Sequence, residues 1–225
     1  MKIIWHGHAF IEIQTQGQQI LIDPFIDGNP FTKTTAADYS PDYILLTHAH
    51  HDHVGSTAEI AERSGATIVA IADLATYFAQ QCFQTEGPNI GGTVHLPFGD
   101  VKLTPAWHTS ATEVNGINLP LGVATGMALK IEDKLLYISG DTGLFSDMQL
   151  VARKQPVDVA FLPIGDHFTM GSDDAAYAAS LVHAKTVVPI HYNTFPAIQA
   201  DPEEFLEMLA PGQGKIPVVD QAWTV

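Results

Sequence analysis

The sequence predicts an α/β protein in which two sheets lie face to face with helices on the outside. Three observations support this. The C-terminal half alternates strand-like and helix-like stretches in a β-α-β rhythm. Both halves open with strands and continue as strand–loop–helix units whose strands end in His or Asp. Apolar residues fill 46% of the 225 positions and charged residues only 16%, so much of the chain must be buried in sheet and packed helix.

Taken in order, residues 2–5, 10–14 and 19–23 read as short strands, the last two joined by a turn at Gln16-Gly17-Gln18. A loop rich in Asp, Gly, Asn, Pro and Thr follows over 24–41, a length at which connections are usually functional. Residues 43–46 form a buried strand, and a helix is expected over 52–63. A strand over 67–71 precedes a helix over 74–83, with Asp73 placed to cap it. A second long loop covers 84–92, before strands near 93–96 and 101–107. Strands over 122–131 and 134–139 make a hairpin across Glu132-Asp133. A helix over 144–153, a strand over 157–163, a helix over 173–182 and a strand over 186–190 supply the β-α-β rhythm. A helix after Asp201-Pro202 and a short final strand bring the count to about a dozen strands and five helices. No composition break divides the chain, so one domain over 1–225 is expected.

Composition excludes several roles. Ten Lys and Arg stand against 25 Asp and Glu, a formal net charge of −15, and no basic stripe is present to bind nucleic acid. Apolar runs are strand-sized, too short to span a bilayer, and the N-terminal residues lack the apolar core of a signal peptide. A single cysteine, Cys82, cannot form an internal disulfide and fits a reducing compartment. The expectation is a cytoplasmic protein acting on a small molecule, with no nucleic-acid or membrane partner; a homo-oligomer is compatible with this.

The chemistry concentrates at Thr47-His48-Ala49-His50-His51-Asp52-His53. His48 and His50, two apart, lie on one side of an extended segment, while Asp52 and His53 turn the other way as a helix begins. Packing alone explains an Asp cap but not four imidazoles. Three further positions put a metal-type ligand after an apolar strand: His108, Asp141 and His191. Alone, each has an ordinary explanation as a core histidine, a turn residue or a cap at a sheet edge; beside 47–53, ligation is the better reading. The residues sort into two sets, His48, His50 and His108 for one cation and Asp52, His53 and His191 for another, with Asp141 as the carboxylate that bridges them. Two divalent ions so placed would share a water and bring its pKa near neutrality. Zinc is expected first, and with no thiolate in the set manganese and iron also suit it.

The motif His48-Ala49-His50-His51-Asp52-His53 resembles the H-x-H-x-D-H signature of the metallo-β-lactamase superfamily, and Asp23, His108, Asp141 and His191 follow in that superfamily's order. The resemblance covers nearly the whole chain and implies a four-layer αββα sandwich with the metals at one rim of the two sheets. It also implies that Asp23 hydrogen-bonds beside the ligands. Trp5-His6-Gly7-His8-Ala9, Asp23-Pro24, Ser139-Gly140-Asp141-Thr142-Gly143 and Leu162-Pro163-Ile164-Gly165 are similar to the branch containing ascorbate-6-phosphate lactonase. Within it, the Gly165–Met170 stretch is similar to bacterial proteins known only as metal-dependent hydrolases. His at 50 rather than Glu separates the chain from the flavodiiron oxidoreductases, and Asp at 141 rather than Cys from secreted lactamases. Ala106-Trp107-His108-Thr109-Ser110 departs from glyoxalase II, and the chain lacks the added domain of the RNA-processing nucleases.

The expected activity is hydrolysis of a small ester, lactone or phosphoester by a hydroxide bridging the two metals. Asp52 would orient or deprotonate the water, and His8 and His167, loop histidines near strand ends, would bind substrate or shuttle a proton. His6 is a weaker candidate for the same part, and His51, His95 and His183 are given no such role. A phosphodiesterase for a nucleotide or lipid-like substrate would use the same site. A non-enzymatic metal-binding regulator is the third reading, against which stands the complete set of seven ligands. Specificity is assigned to the loops at 24–41, 84–92 and 110–121.

Overall fold

The computed structural model describes residues 1–225. The chain opens with β1 (Lys2–Trp5), β2 (Ile11–Thr15) and β3 (Gln18–Ile22), an antiparallel meander. The β2–β3 turn is two residues, Gln16-Gly17, both at positive φ, which suits the twist of the strands; Gln18 pairs with Thr15 instead of turning. The long loop that follows is held down: Arg63 donates to the carbonyls of Ala36 and Tyr39, and a 3-10 turn spans Ala36–Asp38. β4 (Tyr43–Leu45) then runs parallel to β3.

The helix expected over 52–63 is two helices, α1 (His51–Val54) and α2 (Thr57–Ser64). Gly55 breaks it, with φ 44° and ψ −128°, backbone closed to a side chain. A Cβ there would collide with the Pro24 carbonyl, which accepts instead from the Ser56 N–H at 3.0 Å. β5 (Thr67–Val69) follows, then α3 (Ala72–Ala79) and the two-residue β6 (Thr85–Glu86) inside the expected loop. Asp73 lies in the first turn of α3 and does not cap it.

β7 (Thr93–Leu96) and β8 (Gly99–Pro105) form a hairpin, and a second, β9 (Ala111–Val114) and β10 (Ile117–Pro120), occupies the stretch read as a loop. Its turn is Asn115-Gly116, both at positive φ. β11 (Thr125–Ile131) and β12 (Lys134–Ile138) join across Glu132-Asp133, as expected. The helix predicted over 144–153 shrinks to a 3-10 turn at Ser146–Leu150. Met148 is buried but Leu150 is exposed, so a full helix here would bury too little to repay its ordering. β13 (Val159–Pro163), α4 (Ser172–Leu181) and β14 (Thr186–Ile190) complete the β-α-β unit. α5 (Pro202–Glu207) is capped by Asp201, whose side chain accepts from the Glu203 N–H at 2.9 Å, and β15 (Ala222–Thr224) ends the chain.

The chain divides into two compact units, crossing between them after residues 90, 108, 124 and 217. The first (Met1–Ile90, Thr109–Ala124, Val218–Val225) holds a seven-stranded sheet in the order β15-β1-β2-β3-β4-β5-β6 and the β9–β10 hairpin. Its core includes Ile3, Ile11, Ile13, Leu21, Ile44 and Leu45, all inaccessible to solvent. The second (Gly91–His108, Thr125–Pro217) holds a six-stranded sheet in the order β14-β13-β12-β11-β8-β7, with a core of Leu103, Met127, Leu129, Leu136, Phe161 and Val188. α3 packs on β5 and β6, and α4 on β13.

Strand direction sets where the polar residues go. In the first sheet β1, β3 and β4 point the same way, so the residues after them, 6–8, 23 and 46–53, emerge at one edge. In the second sheet β8, β12, β13 and β14 share a direction, which brings 106–108, 139–143, 164–167 and 191 to one edge as well. Ligand sites in α/β sheets form at this carboxyl edge.

Candidate metal centre

In the first unit the organising residue is Asp23, fully buried directly after β3. Its Oδ1 accepts from the Thr47 N–H at 2.8 Å, and its Oδ2 from the Thr47 hydroxyl at 2.7 Å and from His53 Nδ1 at 2.8 Å. Because the Thr47 hydroxyl donates to Asp23, it accepts from His48 Nδ1, 3.0 Å away. Both imidazoles therefore carry their proton on Nδ1, an assignment made from the network, and both present Nε2 as a lone pair. The rings lie 4.1 Å apart between centroids.

His48 Nε2 faces His50 Nδ1 at 2.9 Å, and His50 Nε2 lies 3.3 Å from the Thr109 hydroxyl. α1 then turns Asp52 toward His8, whose Nε2 is 3.2 Å from Asp52 Oδ2. His8 is fully buried at positive φ, and the Trp5 indole donates to its carbonyl at 3.0 Å. His8, Asp52 and His53 offer ligand atoms within 4.8 Å of one another. His51 is exposed, with its Nδ1 3.7 Å from Asp52 Oδ1. His6 makes its bonds elsewhere: its ring bonds Asp220 at 2.7 Å and Glu12 at 3.2 Å.

In the second unit the centre is Asp141, buried three residues past β12. His191, the first residue after β14, places Nε2 at 2.9 Å from Asp141 Oδ2, and His108 Nε2 stands 3.7 Å from the same oxygen. The loops are stitched together: the Trp107 N–H donates to the Thr142 hydroxyl, the Gly143 N–H to the Trp107 carbonyl, and the Met170 N–H to the Thr142 carbonyl. Gly165 lets the backbone pass close to His191, since a Cβ would meet the His191 carbonyl. His167 is exposed, edge-on to Phe168 at 4.5 Å between ring centroids.

The donor chemistry fits divalent cations. Buried imidazole nitrogens and carboxylate oxygens converge, and in the first unit hydrogen bonds fix which nitrogen is presented. The only thiol, Cys82, is exposed. The sequence names all these candidate ligands and Asp23 but gives no role to Thr47 or Thr109. Their one signal was adjacency to a ligand or to the motif.

Residues 18–192 match the model of the β-lactamase superfamily domain. A metal-dependent hydrolase of the UPF0173 group from Ligilactobacillus salivarius is 66% identical over 91% of either chain, and one from Oenococcus oeni is 53% identical over 98% of either. Among solved structures, Igni18, a metallo hydrolase from the archaeon Ignicoccus hospitalis, aligns with a TM-score of 0.87 and 36% identity. That alignment covers 100% of this chain and 98% of the other.

Proposed function

The chain belongs to the β-lactamase superfamily and has its fold, and on that premise we propose that it hydrolyses a small ester, lactone or phosphoester at a dinuclear metal centre. That the protein is a metal-dependent hydrolase follows from its relatives; the ligand set and the substrate class are our reading. His48, His50 and His108 would hold one ion and Asp52, His53 and His191 the other, with Asp141 available to both. The single observation that carries this is the Asp23–Thr47 network, which commits Nδ1 of two adjacent buried histidines and turns both Nε2 atoms into acceptors. When bound, divalent ions would lower the pKa of a water and polarise the carbonyl or phosphoryl oxygen of the substrate, with zinc the first candidate.

The side chains supply the rest. Asp52, beside His8, orients the attacking water and takes its proton, and the buried His8 ring fixes the carboxylate that does so. His167, exposed on the 165–170 stretch, is free to meet the substrate rather than the ions. A small substrate agrees with a net charge of −15, which repels polyanions. No helix is long and apolar enough to cross a membrane, and the lone cysteine supports a cytoplasmic setting.

The test is a panel of esters, lactones, phosphomonoesters and phosphodiesters offered to metal-loaded and chelator-stripped protein. Turnover of an ester, lactone or phosphoester should vanish on chelation and fall on the order of 100-fold or more in Asp52→Ala. If phosphodiesters alone are cleaved, the enzyme is a phosphodiesterase. If nothing is cleaved and Asp52→Ala alters only stability, the hydrolase reading is wrong.

A further inference from the structure

The segment that carries His48 and His50 is held by side chains once it leaves the sheet. β4 ends at Leu45, and the Leu46 N–H still reaches the Val69 carbonyl at 2.9 Å. Beyond it, Asp23 accepts from the Thr47 N–H at 2.8 Å, and the Ser110 hydroxyl accepts from the Ala49 N–H at 3.2 Å. Ala49, between the two histidines, is inaccessible to solvent, so its N–H must find a partner within the protein. Ser110 is itself buried and uses its hydroxyl in both senses, since it also donates to the Leu121 carbonyl at 3.2 Å. The Leu121 N–H returns to the Ser110 carbonyl at 3.1 Å and closes the base of the β9–β10 hairpin.

Thr109, one residue earlier, meets the histidine ring. His48 Nε2 and His50 Nδ1 face each other at 2.9 Å, so Nδ1 is the His50 nitrogen turned toward the His48 lone pair. The other nitrogen, Nε2, stands 3.3 Å from the Thr109 hydroxyl. Thr109 is exposed, and water competes for that bond; the buried tie at Ser110 keeps its hydroxyl within reach of the ring. Closing the hairpin accounts for the bonds between Ser110 and Leu121. It does not account for the bond to Ala49 or for the Thr109 contact with His50.

We infer that Thr109 and Ser110 are positioning residues for His50. Ser110 fixes the backbone just before His50, and Thr109 accepts from its Nε2–H, which leaves Nδ1 as the nitrogen offered to an ion beside His48 Nε2. Neither residue touches the ion; each acts through His50, as Asp23 and Thr47 act through His48 and His53. The inference rests on the reading of His48 and His50 as ligands of one ion.

The experiment measures zinc affinity by chelator competition in wild type, Thr109→Val, Thr109→Ser, Ser110→Ala and His50→Ala. Long-range proton–nitrogen correlation spectra of the zinc-loaded protein report which His50 nitrogen carries the proton. His50→Ala should lose tight binding of one zinc equivalent; if it binds zinc as wild type does, His50 is no ligand and both readings are overturned. Thr109→Val and Ser110→Ala should each weaken the same equivalent about 10- to 100-fold, and Thr109→Ser, which keeps the hydroxyl, should match wild type. The His50 ring should be protonated at Nε2 in the zinc-loaded wild type. If Ser110→Ala fails to fold, the two Thr109 variants and the ring spectrum decide. Wild-type affinity in Thr109→Val, or zinc held through His50 Nε2, overturns the positioning role and leaves His50 a ligand. Equal weakening in Thr109→Ser and Thr109→Val also overturns it, because the hydroxyl would then not be the group that matters.

Discussion

Asp23 Oδ2 receives His53 Nδ1 at 2.8 Å inside the first unit, both side chains shut off from solvent. The same oxygen receives the Thr47 hydroxyl, so one carboxylate sets the tautomer of His53 directly and of His48 through Thr47. On the proposed ligand set, this pattern would put the burden of metal binding partly on a residue that need not touch the metal.

Asp23→Asn should therefore weaken metal binding about 10- to 100-fold, because an amide turns an N–H₂ toward groups that already donate. The same mispairing in a buried place should lower stability by about 1–3 kcal/mol. Competition with a chelator and urea unfolding measure the two effects; unchanged metal affinity would remove Asp23 from the account.

Gly55→Ala should cost about 1–3 kcal/mol in urea unfolding, because its backbone conformation suits glycine alone and the added Cβ meets Pro24. Gly17→Ala, also at positive φ but with nothing within 4 Å, should cost about 1 kcal/mol. Equal losses at the two positions would show that contact with Pro24 is unimportant.

The acid limb of the stability curve should depend on Glu12. Burial pushes its carboxyl up, but hydrogen bonds from His6, Gln19 and Gln14 and the charge on His6 outweigh this and hold it below the ordinary value of 4.5. A carboxyl lowered on folding contributes stability in full above the unfolded value and loses it as pH falls through the lower folded value. Thermal melts from pH 3 to 7 should show Glu12→Gln less stable than wild type at neutral pH, with the gap closing as pH falls below 4.5. A pH-independent gap would contradict this.

Tyr192 titration gives a check at the alkaline end. Burial, with Glu203 adding to it, raises its phenol to about 12. In ultraviolet titration Tyr192→Phe should remove a late-ionising phenol and leave absorbance changes near pH 10 unaltered. Loss of a phenol titrating near pH 10 would show Tyr192 to be solvated.

Much of this was legible in the sequence because the candidate ligands follow strands. Runs such as 186–190 are apolar, and the polar residue that ends them, here His191, lands at the carboxyl edge of the sheet. What failed needed information from elsewhere in the chain. The break at Gly55 is set by the Pro24 backbone, thirty-one positions back, and the short turn at 146–150 by how little apolar surface it buries. The β9–β10 hairpin carries a strong turn signal, Asn115-Gly116 between apolar residues, in a stretch where a loop is expected. The pairing of β15 with β1 and the return of 109–124 to the first unit join distant segments that no local pattern specifies.

The most direct test of the central claim is anomalous diffraction from crystals of the metal-loaded protein, collected at the absorption edge of the bound metal. The account predicts two peaks, one ligated by His48, His50 and His108 and the other by Asp52, His53 and His191, with Asp141 in contact with both. A single peak, or peaks away from these residues, would contradict it.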